Sequence, residues 1–566
     1  MVGLWRKGIT RLCLRKKVRI KCSTIDNINM RATFSKSAII VLILAFAIRL
    51  SATMAATVIN LDGILYINQA KSLMQGNIAK DLACLFGFLP FNSVLIAFFS
   101  LFSPSWIVAA KAVSLLCGWA ALIPVYLIAK RFFEERICIL LLLLFSLIPV
   151  LVNSSVEIIR DPVAWMLFSL AILLFIKNQE EDSPISLFFC GILFSLASWT
   201  RGEFFFLYLT SGLFLLITCQ PRKRQLTAIL SLFAPLLIIV LLAVPGGLFS
   251  QVGHYVRKPP SINTETARGL LSGYAGLQEQ LKVLVNTIPD GESVVVLKNF
   301  LLQSANLIWL VALGMLATHL CEAVSYFYLP LFLLGLFLHS AAQSDYRRRY
   351  LLLMALSAFL IVYAQIIRIW ALEYRWLGTT IISAAVFAGY GLQRFDLALR
   401  EKFNLSPKIS AVLIVAFLIL PGAAKLLRQN NTQKTIVLEI AQEILSEQQA
   451  HRAPVYIAAT QRGEHARALI EFYVNLTLPQ AICANNGYIV TEQDIVNPTA
   501  FAAKLEKKNM KYFVLDESVK TGSESGDHQP YLSLFATQLA EWHYPDLGKI
   551  TLYRTDRLYQ SSSLQQ

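Results

Sequence analysis

Residues 38–66 read AIIVLILAFAIRLSATMAATVINLDGILY, and this stretch decides the class of fold. Its first 20 residues carry a single charge, Arg49. As a helix, such a run is long enough to cross the hydrocarbon core of a membrane. The apolar run then ends at Asp62, where a spanning helix would leave the membrane. We therefore expect a membrane protein whose first span delivers an acidic side chain to one membrane surface.

The composition of the whole chain agrees with this expectation. Of its 566 residues, 56% are hydrophobic and 15% are charged, and the mean hydropathy is +0.56. Soluble globular chains have roughly 45–50% apolar and about 25% charged residues. These values exclude a soluble enzyme, a disordered chain and a fibrous protein. The sequence thus predicts an α-helical polytopic membrane protein with a small soluble α/β appendage.

Eleven apolar segments are predicted to span the membrane. If the N-terminus is cytoplasmic, the basic clusters of five loops fall on the cytoplasmic side, as the positive-inside rule requires. The charge-free segment 299–321 would break this alternation, so we interpret it as an interfacial or re-entrant helix. The predicted spans are 38–58, 107–129, 137–155, 162–176, 184–199, 204–219, 226–246, 324–342, 350–367, 376–393 and 409–424.

The net charge of +16 is concentrated near the N-terminus rather than on a folded domain. Residues 1–36 hold ten Lys and Arg against one acid, Asp26, and lie directly before the first span. Such a tail is typical of a cytoplasmic anchor that contacts membrane lipids, so we expect no nucleic-acid partner. The resulting localisation is a multi-pass protein of a membrane, and we expect a bacterial inner membrane.

The chain divides into three predicted parts. A basic cytoplasmic tail (1–36) precedes a transmembrane catalytic module (37–425) whose large outer loops are 59–105 and 247–298. An extracytoplasmic (periplasmic) α/β domain follows at 426–566, because an odd number of spans leaves this end outside. Within it we predict strands at 454–459, 488–490, 511–515 and 549–553, and helices at 464–474 and 499–508.

Charged residues recur at the outer ends of the predicted spans. Charges near membrane depth are costly and therefore mark functional sites by default. A carboxylate there can take a proton from an acceptor hydroxyl, and arginines can bind a phosphate leaving group. The pattern favours sugar transfer from a lipid phosphate. The residues at this level are Asp62, Lys80, Asp81, Glu157, Arg160, Asp161, Arg201, Glu203, Arg368, Glu373 and Arg375.

Several of these motifs, taken in order, resemble the GT-C glycosyltransferases of the protein-mannosyltransferase and aminoarabinose-transferase type. The resemblance covers roughly residues 38–425 and rests on an ordered series rather than on one motif. Its elements are Arg49-Leu50, Asp62-Gly63-Ile64-Leu65-Tyr66, Pro90-Phe91-Asn92, Lys111, Arg160-Asp161-Pro162, Thr200-Arg201-Gly202-Glu203 and Tyr374-Arg375-Trp376-Leu377.

The resemblance implies a polyprenyl-phosphate sugar donor and an acceptor that is a lipid, a glycan or a protein. It implies that Asp62 is the catalytic base and that Asp161, with Glu157 as its alternative, forms a second acidic site. Many relatives have an Asp-Glu pair where this chain has Asp62-Gly63, so we do not favour a divalent metal and expect no firm cofactor. The predicted substrate- or phosphate-binding residues are Tyr66, Lys111, Arg160, Arg201, Glu203 and Arg375.

Other interpretations of these residues stay open at this stage. Asp62 and Asp161 could be helix N-caps, Tyr66 an interfacial aromatic residue and Lys111 a snorkelling side chain. The whole chain could instead be a transporter or a flippase of lipid-linked glycans, although no internal repeat is visible. An oligosaccharide ligase, which takes a pyrophosphate-linked glycan, is a further alternative.

Overall fold

The chain is a helical bundle with a small mixed sheet near its C-terminus. The computed structural model describes residues 34–81, 88–218, 222–243, 272–288, 295–337, 345–427, 435–447, 454–460, 464–478, 480, 488–490, 498–516, 536–544 and 548–555. All but the last three residues of the basic tail (1–36) and most of the predicted outer loop 247–298 lie outside these ranges.

The first half of the bundle is formed by helices that overlap the predicted spans and by three helices within the predicted outer loop 59–105. Their order is α1 Lys36–Ala55, α2 Leu61–Met74, α3 Ile78–Asp81, α4 Phe91–Ser100, α5 Trp106–Ala120, α6 Leu122–Ala129, α7 Glu135–Leu147, α8 Pro149–Val156, α9 Asp161–Glu181, α10 Pro184–Thr200, α11 Glu203–Thr218 and α12 Arg222–Ala243.

The second half continues the bundle after residue 271. Its helices are α13 Ser272–Thr287, α14 Val295–Val324, α15 Leu329–Phe337, α16 Tyr346–Ile369, the 3-10 turn Tyr374–Leu377, α17 Gly378–Ser383, α18 Ala385–Phe403 and α19 Pro407–Leu427.

Helix α1 illustrates why these segments fold as membrane helices. Ser35 caps its N-terminus by accepting a hydrogen bond from Ala38 N at 3.2 Å. One face packs against the bundle, whereas Ile40 and Ile43 on another face are more than 60% exposed. An apolar surface of this kind suits contact with lipid rather than with water. The polytopic membrane fold predicted from composition is therefore confirmed.

Each of the eleven predicted spans overlaps a helix, but the helices differ in length. In the part of the chain that the structure describes, five helical stretches have the length and composition of a span, and the pair α7–α8, bent by 54°, forms a sixth if it is counted as one. Others, such as α10 and α11, are apolar but shorter. The total of eleven spans stays a prediction.

The segment 299–321 requires a correction. It lies within α14, a continuous helix of 30 residues that has the length and apolar composition of a membrane span. A re-entrant segment needs a break where the chain turns back, so that part of the interpretation is wrong. The interfacial alternative remains a prediction, since hydropathy and length do not fix how a helix is tilted.

Arg49 has partners inside the bundle, as a charge in the middle of a span must. Its guanidinium is fully buried and donates to Ala45 O at 3.3 Å and Ser146 O at 3.2 Å. Ser146 lies just before the bend between α7 and α8, where Pro149 has no N–H to continue the helical hydrogen bonds. Arg49 thus stabilises a break in the helix rather than lining a site.

The C-terminal domain contains the predicted βαβ-like alternation and an added hairpin. After α20 (Ile436–Glu447), the elements are β1 Ile457–Thr460, α21 Glu464–Val474, β2 Tyr488–Val490, α22 Pro498–Lys507, β3 Tyr512–Asp516, β4 Thr537–Tyr544 and β5 Gly548–Arg554. The strand order is β2-β1-β3-β5-β4, with β1 parallel to β2 and β3, and β5 antiparallel to β3 and β4. The predicted strands and helices are confirmed, whereas α20 and β4 were not foreseen.

Candidate active site

One cavity of about 710 Å³ lies at the end of the bundle where α2 and α9 begin, which we call the cavity end. Seven of the nine predicted site residues line it: Asp62, Tyr66, Arg160, Asp161, Arg201, Glu203 and Arg375. They come from four separate parts of the chain. The structure therefore brings together the residues that the sequence placed at one level.

Two arginines organise the charged wall of this cavity. Arg375 donates to Asp62 Oδ2 at 2.6 Å and also pairs with Glu373. Arg201 pairs with Asp161 and, at 2.5 Å, with Glu203. Each guanidinium is therefore already bound by two carboxylates, which differs from the predicted role of both arginines as phosphate ligands.

Asp62 and Asp161 are not helix N-caps. Asp62 is the second residue of α2, whose N-cap is Asn60, and its side chain reaches Arg375 instead. Asp161 opens α9 after the N-cap residue Arg160 and reaches Arg201. The side chain of Asp62 is 37% exposed and that of Asp161 is 2% exposed. Of these two aspartates, Asp62 is thus the one open to a molecule entering the cavity.

A close approach of two segments sets the position of Asp62. Gly63 lies so near Ile158 that a Cβ at residue 63 would be 3.0 Å from Ile158 Cβ, which is tighter than nearly all real contacts. The missing side chain lets α2 pack directly against the residues that lead to Arg160 and Asp161. Gly63 therefore has a packing role that its position beside Asp62 did not suggest.

Burial and charge affect two groups of the site that lie outside the spanning segments. Burial raises the pKa of Tyr66 to about 12, so its phenol is neutral in ordinary buffers. Burial disfavours the charged form of Arg375, but Asp161 and Asp62 outweigh this and hold its pKa above the ordinary value. The site thus keeps a neutral phenol beside a permanently charged guanidinium.

Two further arginines line the cavity and differ from Arg201 and Arg375 in their ion pairs. Arg160 and Arg368 have no ion pair among the residues that the structure describes, although both face the same space as Asp62. Sequence analysis noted Arg368 and Glu373 at the outer level but did not select them as site residues. Their positions seven and two residues before Arg375 along the chain were the available signal.

Glu157 lies on the other side of Arg375 from this cavity. It borders a second cavity of about 730 Å³, which shares Glu373 and Arg375 with the first and also contains Glu322. Glu157 is exposed and follows α8 as its C-cap residue. The predicted alternative acid is therefore close to the site but does not line the cavity of Asp62.

Lys111 also lies away from the cavity. Its ammonium donates to Ala56 O and, at 3.4 Å, to Thr53 O at the C-terminal end of α1. The last carbonyls of a helix lack partners within that helix, so a cation there is stabilising. The geometry assigns Lys111 to the end of α1 and gives no contact that supports its predicted role in phosphate binding.

No group of three or more His, Cys, Asp or Glu side chains arranged to hold a metal ion occurs among the described residues. The four carboxylates of the cavity are instead paired with arginines, as in the case of Asp62 and Asp161. Independence of metal stays a prediction.

Comparisons with known proteins agree with this architecture. The family described as dolichyl-phosphate-mannose-protein mannosyltransferase matches residues 89–246. No curated protein sequence matches the chain. The crystal structure of ArnT from Cupriavidus metallidurans in the apo state is similar, with a TM-score of 0.52, 14% identity and coverage of 92% of this chain and 98% of that chain.

Two further solved structures show the same similarity. ArnT from Cupriavidus metallidurans bound to undecaprenyl phosphate has a TM-score of 0.54 and 13% identity, covering 92% of this chain and 98% of that chain. The Archaeoglobus fulgidus oligosaccharyltransferase, in complex with Zn and sulfate, has a TM-score of 0.50 and 15% identity, covering 91% of this chain and 73% of that chain. The chain therefore has the fold of the GT-C membrane glycosyltransferases, as the resemblance implied.

Proposed function

We propose that this protein is a membrane glycosyltransferase that moves a sugar from a polyprenyl-phosphate donor to an acceptor, with Asp62 as general base. The observation that carries the proposal is the two-part lining of the cavity. Acids and arginines form one end, while Leu207 of α11 and Ala358, Ile361 and Val362 of the candidate span α16 form an apolar wall. A phosphate on a long apolar chain matches both parts.

Arg160 and Arg368 are the proposed ligands of the donor phosphate. A guanidinium presents donors in a fork that fits phosphate oxygens, and neither arginine is bound to a carboxylate among the described residues. Arg201 and Arg375 serve instead to hold Asp161 and Asp62. ArnT from Cupriavidus metallidurans, which has the same fold, has been crystallised with undecaprenyl phosphate, and this supports a donor of that class.

Asp62 is the proposed base because it is the exposed member of the two cavity aspartates. Arg375 binds its Oδ2, and Oδ1, which has no hydrogen-bond partner among the described residues, is the atom that would accept a proton. In the reaction, the acceptor oxygen bonds to the anomeric carbon while the bond from that carbon to the phosphate oxygen breaks. The electron pair leaves with the phosphate, where Arg160 and Arg368 offset the added charge, and the acceptor proton moves to Asp62.

The first experiment measures release of sugar from radiolabelled undecaprenyl-phosphate sugars by the purified full chain with membrane lipid extract as acceptor. Asp62→Asn removes the base with little change in shape, and we expect turnover to fall about 10²–10⁴-fold with an unchanged melting temperature. Asp182→Asn is the matched control, since Asp182 is exposed and pairs with Arg224 far from the cavity.

Wild-type turnover in folded Asp62→Asn would remove Asp62 from the mechanism and direct attention to Glu157. Donor flipping in liposomes without any sugar release would replace the transferase with a flippase.

A further inference from the structure

The C-terminal domain contacts both ends of the helix that carries Asp62. Just before α2, Ile59 N donates to Tyr473 Oη at 2.9 Å, and Tyr473 Oη donates in turn to Thr57 O at 3.5 Å. In the last turn of α2, Lys71 Nζ donates to Leu476 O at 3.0 Å and Leu478 O at 2.9 Å. These contacts join parts of the chain that are more than 400 residues apart.

Lys71 is an unusual residue for such a contact. It is one of the largest fully buried side chains of the protein, and its described partners are two backbone carbonyls rather than a carboxylate. Burial lowers the pKa of Lys71 to about 8. A buried ammonium is costly unless its donors are satisfied, so these two carbonyls hold the end of α2 against the C-terminal domain.

The segment that provides the carbonyls for Lys71 is connected to the rest of the domain by Asn475. Its Nδ2 donates to Val455 O at 2.7 Å and Glu471 O at 2.8 Å, while its Oδ1 accepts from Val455 N at 2.8 Å. Asn475 therefore ties residues 473–478, which we call the 473–478 turn, to the chain leading into β1. The sheet of the domain is thus connected through this turn to α2.

We propose that the 473–478 turn positions α2, and so Asp62, for catalysis, with Tyr473 and Lys71 as positioning residues. Asp62 and Lys71 are nine residues apart on one helix, about 13.5 Å along its axis. A shift or tilt at the Lys71 end moves the carboxylate relative to Arg375 and to the bound donor. The C-terminal domain is then part of the catalytic apparatus without touching substrate.

The proposal rests on the proposed transferase activity, and it is tested with two conservative variants in the full chain. Tyr473→Phe removes one hydroxyl, and Lys71→Met removes the ammonium while keeping an unbranched apolar stem of matching length. Using the radiolabelled undecaprenyl-phosphate sugar that the wild type turns over, we expect kcat to fall about 10-fold and about 10²-fold respectively, with KM for the donor within about twofold of wild type. Lys71→Arg, which keeps a charged donor, should regain most of the loss.

Tyr512→Phe is the matched control. Its hydroxyl donates to Glu447 Oε2 at 3.2 Å within the same domain and away from α2, so kcat should stay at the wild-type value. Hydrogen–deuterium exchange of residues 61–74 provides a second readout that needs no activity. It should increase in Tyr473→Phe and Lys71→Met, while exchange in β1, β3 and β5 stays as in wild type.

Unchanged kcat in both variants, or a rise in KM alone, would overturn the positioning role even if Asp62→Asn is inactive. If the wild type releases no sugar from any donor, the transferase proposal fails instead. The exchange measurement then still tests the contact between the C-terminal domain and α2. Unchanged protection of residues 61–74 in both variants would overturn that link.

Discussion

Two clusters of carboxylates and arginines lie at opposite ends of the helical bundle, and they differ in how completely the carboxylate is bound. At the basic end, near the predicted cytoplasmic loops, Asp396 binds Arg136 and Arg400, each at 2.6 Å, and accepts from Ser410 Oγ at 2.6 Å. Its side chain is 6% exposed. At the cavity end, Asp62 has one described partner, Arg375, and is 37% exposed.

This difference separates a structural cluster from a candidate site built from the same residue types. A carboxylate whose two oxygens are both occupied is stabilising but cannot take part in chemistry without breaking bonds. A carboxylate with a free oxygen beside a cavity can accept a proton or a ligand. The charge pattern of the sequence predicts the same role for both clusters, since each combines acids and arginines at the end of a span.

The largest expected effect is on the basic-end cluster. Asp396→Asn leaves Arg136 and Arg400 without their shared counter-charge. We expect the free energy of unfolding to fall by about 3 kcal/mol. This value is at the low end for a broken buried pair, because both arginines are partly exposed. Donor turnover per folded molecule should equal wild type. A thermal melt in detergent measures the stability, and the sugar-release assay measures the turnover. A variant that keeps its stability but loses turnover would contradict the structural role of this cluster.

A smaller effect is expected from the two cavity arginines without a described ion pair. Arg160→Gln or Arg368→Gln should raise KM for the undecaprenyl-phosphate sugar by about tenfold each, because a charge-assisted hydrogen bond to phosphate is lost. The effect should weaken with added salt. Arg136→Gln at the basic end is the control that lowers stability and leaves KM unchanged. Wild-type KM in both cavity variants would remove the phosphate-binding assignment.

The smallest effect is expected at Tyr66. Its pKa of about 12 keeps the phenol protonated between about pH 6 and 10, so it can donate a hydrogen bond but cannot serve as base. Tyr66→Phe should lower kcat/KM about two- to tenfold without changing the shape of the pH–rate profile. Tyr390→Phe at the basic end should have no effect on kcat/KM. If the alkaline limb of the pH–rate profile disappears in Tyr66→Phe but not in Tyr390→Phe, the phenol of Tyr66 titrates during turnover and this prediction is wrong.

Much of the membrane fold and most of the site could be predicted from the sequence, for one physical reason. Every spanning helix crosses the same thickness of hydrocarbon, so polar residues at successive ends of predicted spans fall at the same level. Asp62, Asp161, Arg201 and Arg375 meet in this way. Lys111 lies at the same level but turns to the end of α1, because side-chain direction is set by packing that periodicity does not describe.

The contacts that join distant segments could not be predicted. The burial of Lys71 depends on carbonyls 405 and 407 residues away, and no local pattern reports such a pairing. Strand β4 was missed because residues 537–540 break the alternation of polar and apolar side chains, which leaves only four alternating residues, 541–544. The segment Pro545-Asp546, between β4 and β5, was a usable turn signal for the hairpin.

The close approach of Gly63 to Ile158 has a consequence for protein engineering. Adding an acid at position 63, to recreate the Asp-Glu pair found in many proteins of the resembling family, would require space that Ile158 already occupies. The new Cβ would lie 3.0 Å from both Ile158 Cβ and Asn60 Oδ1, so these neighbours would have to shift at the start of α2, beside Asp62. Because the contacting atom of Ile158 is its Cβ, which every residue except Gly retains, a two-acid version of this site would first need Ile158→Gly, and the order of those two substitutions would decide whether the intermediate retains its geometry.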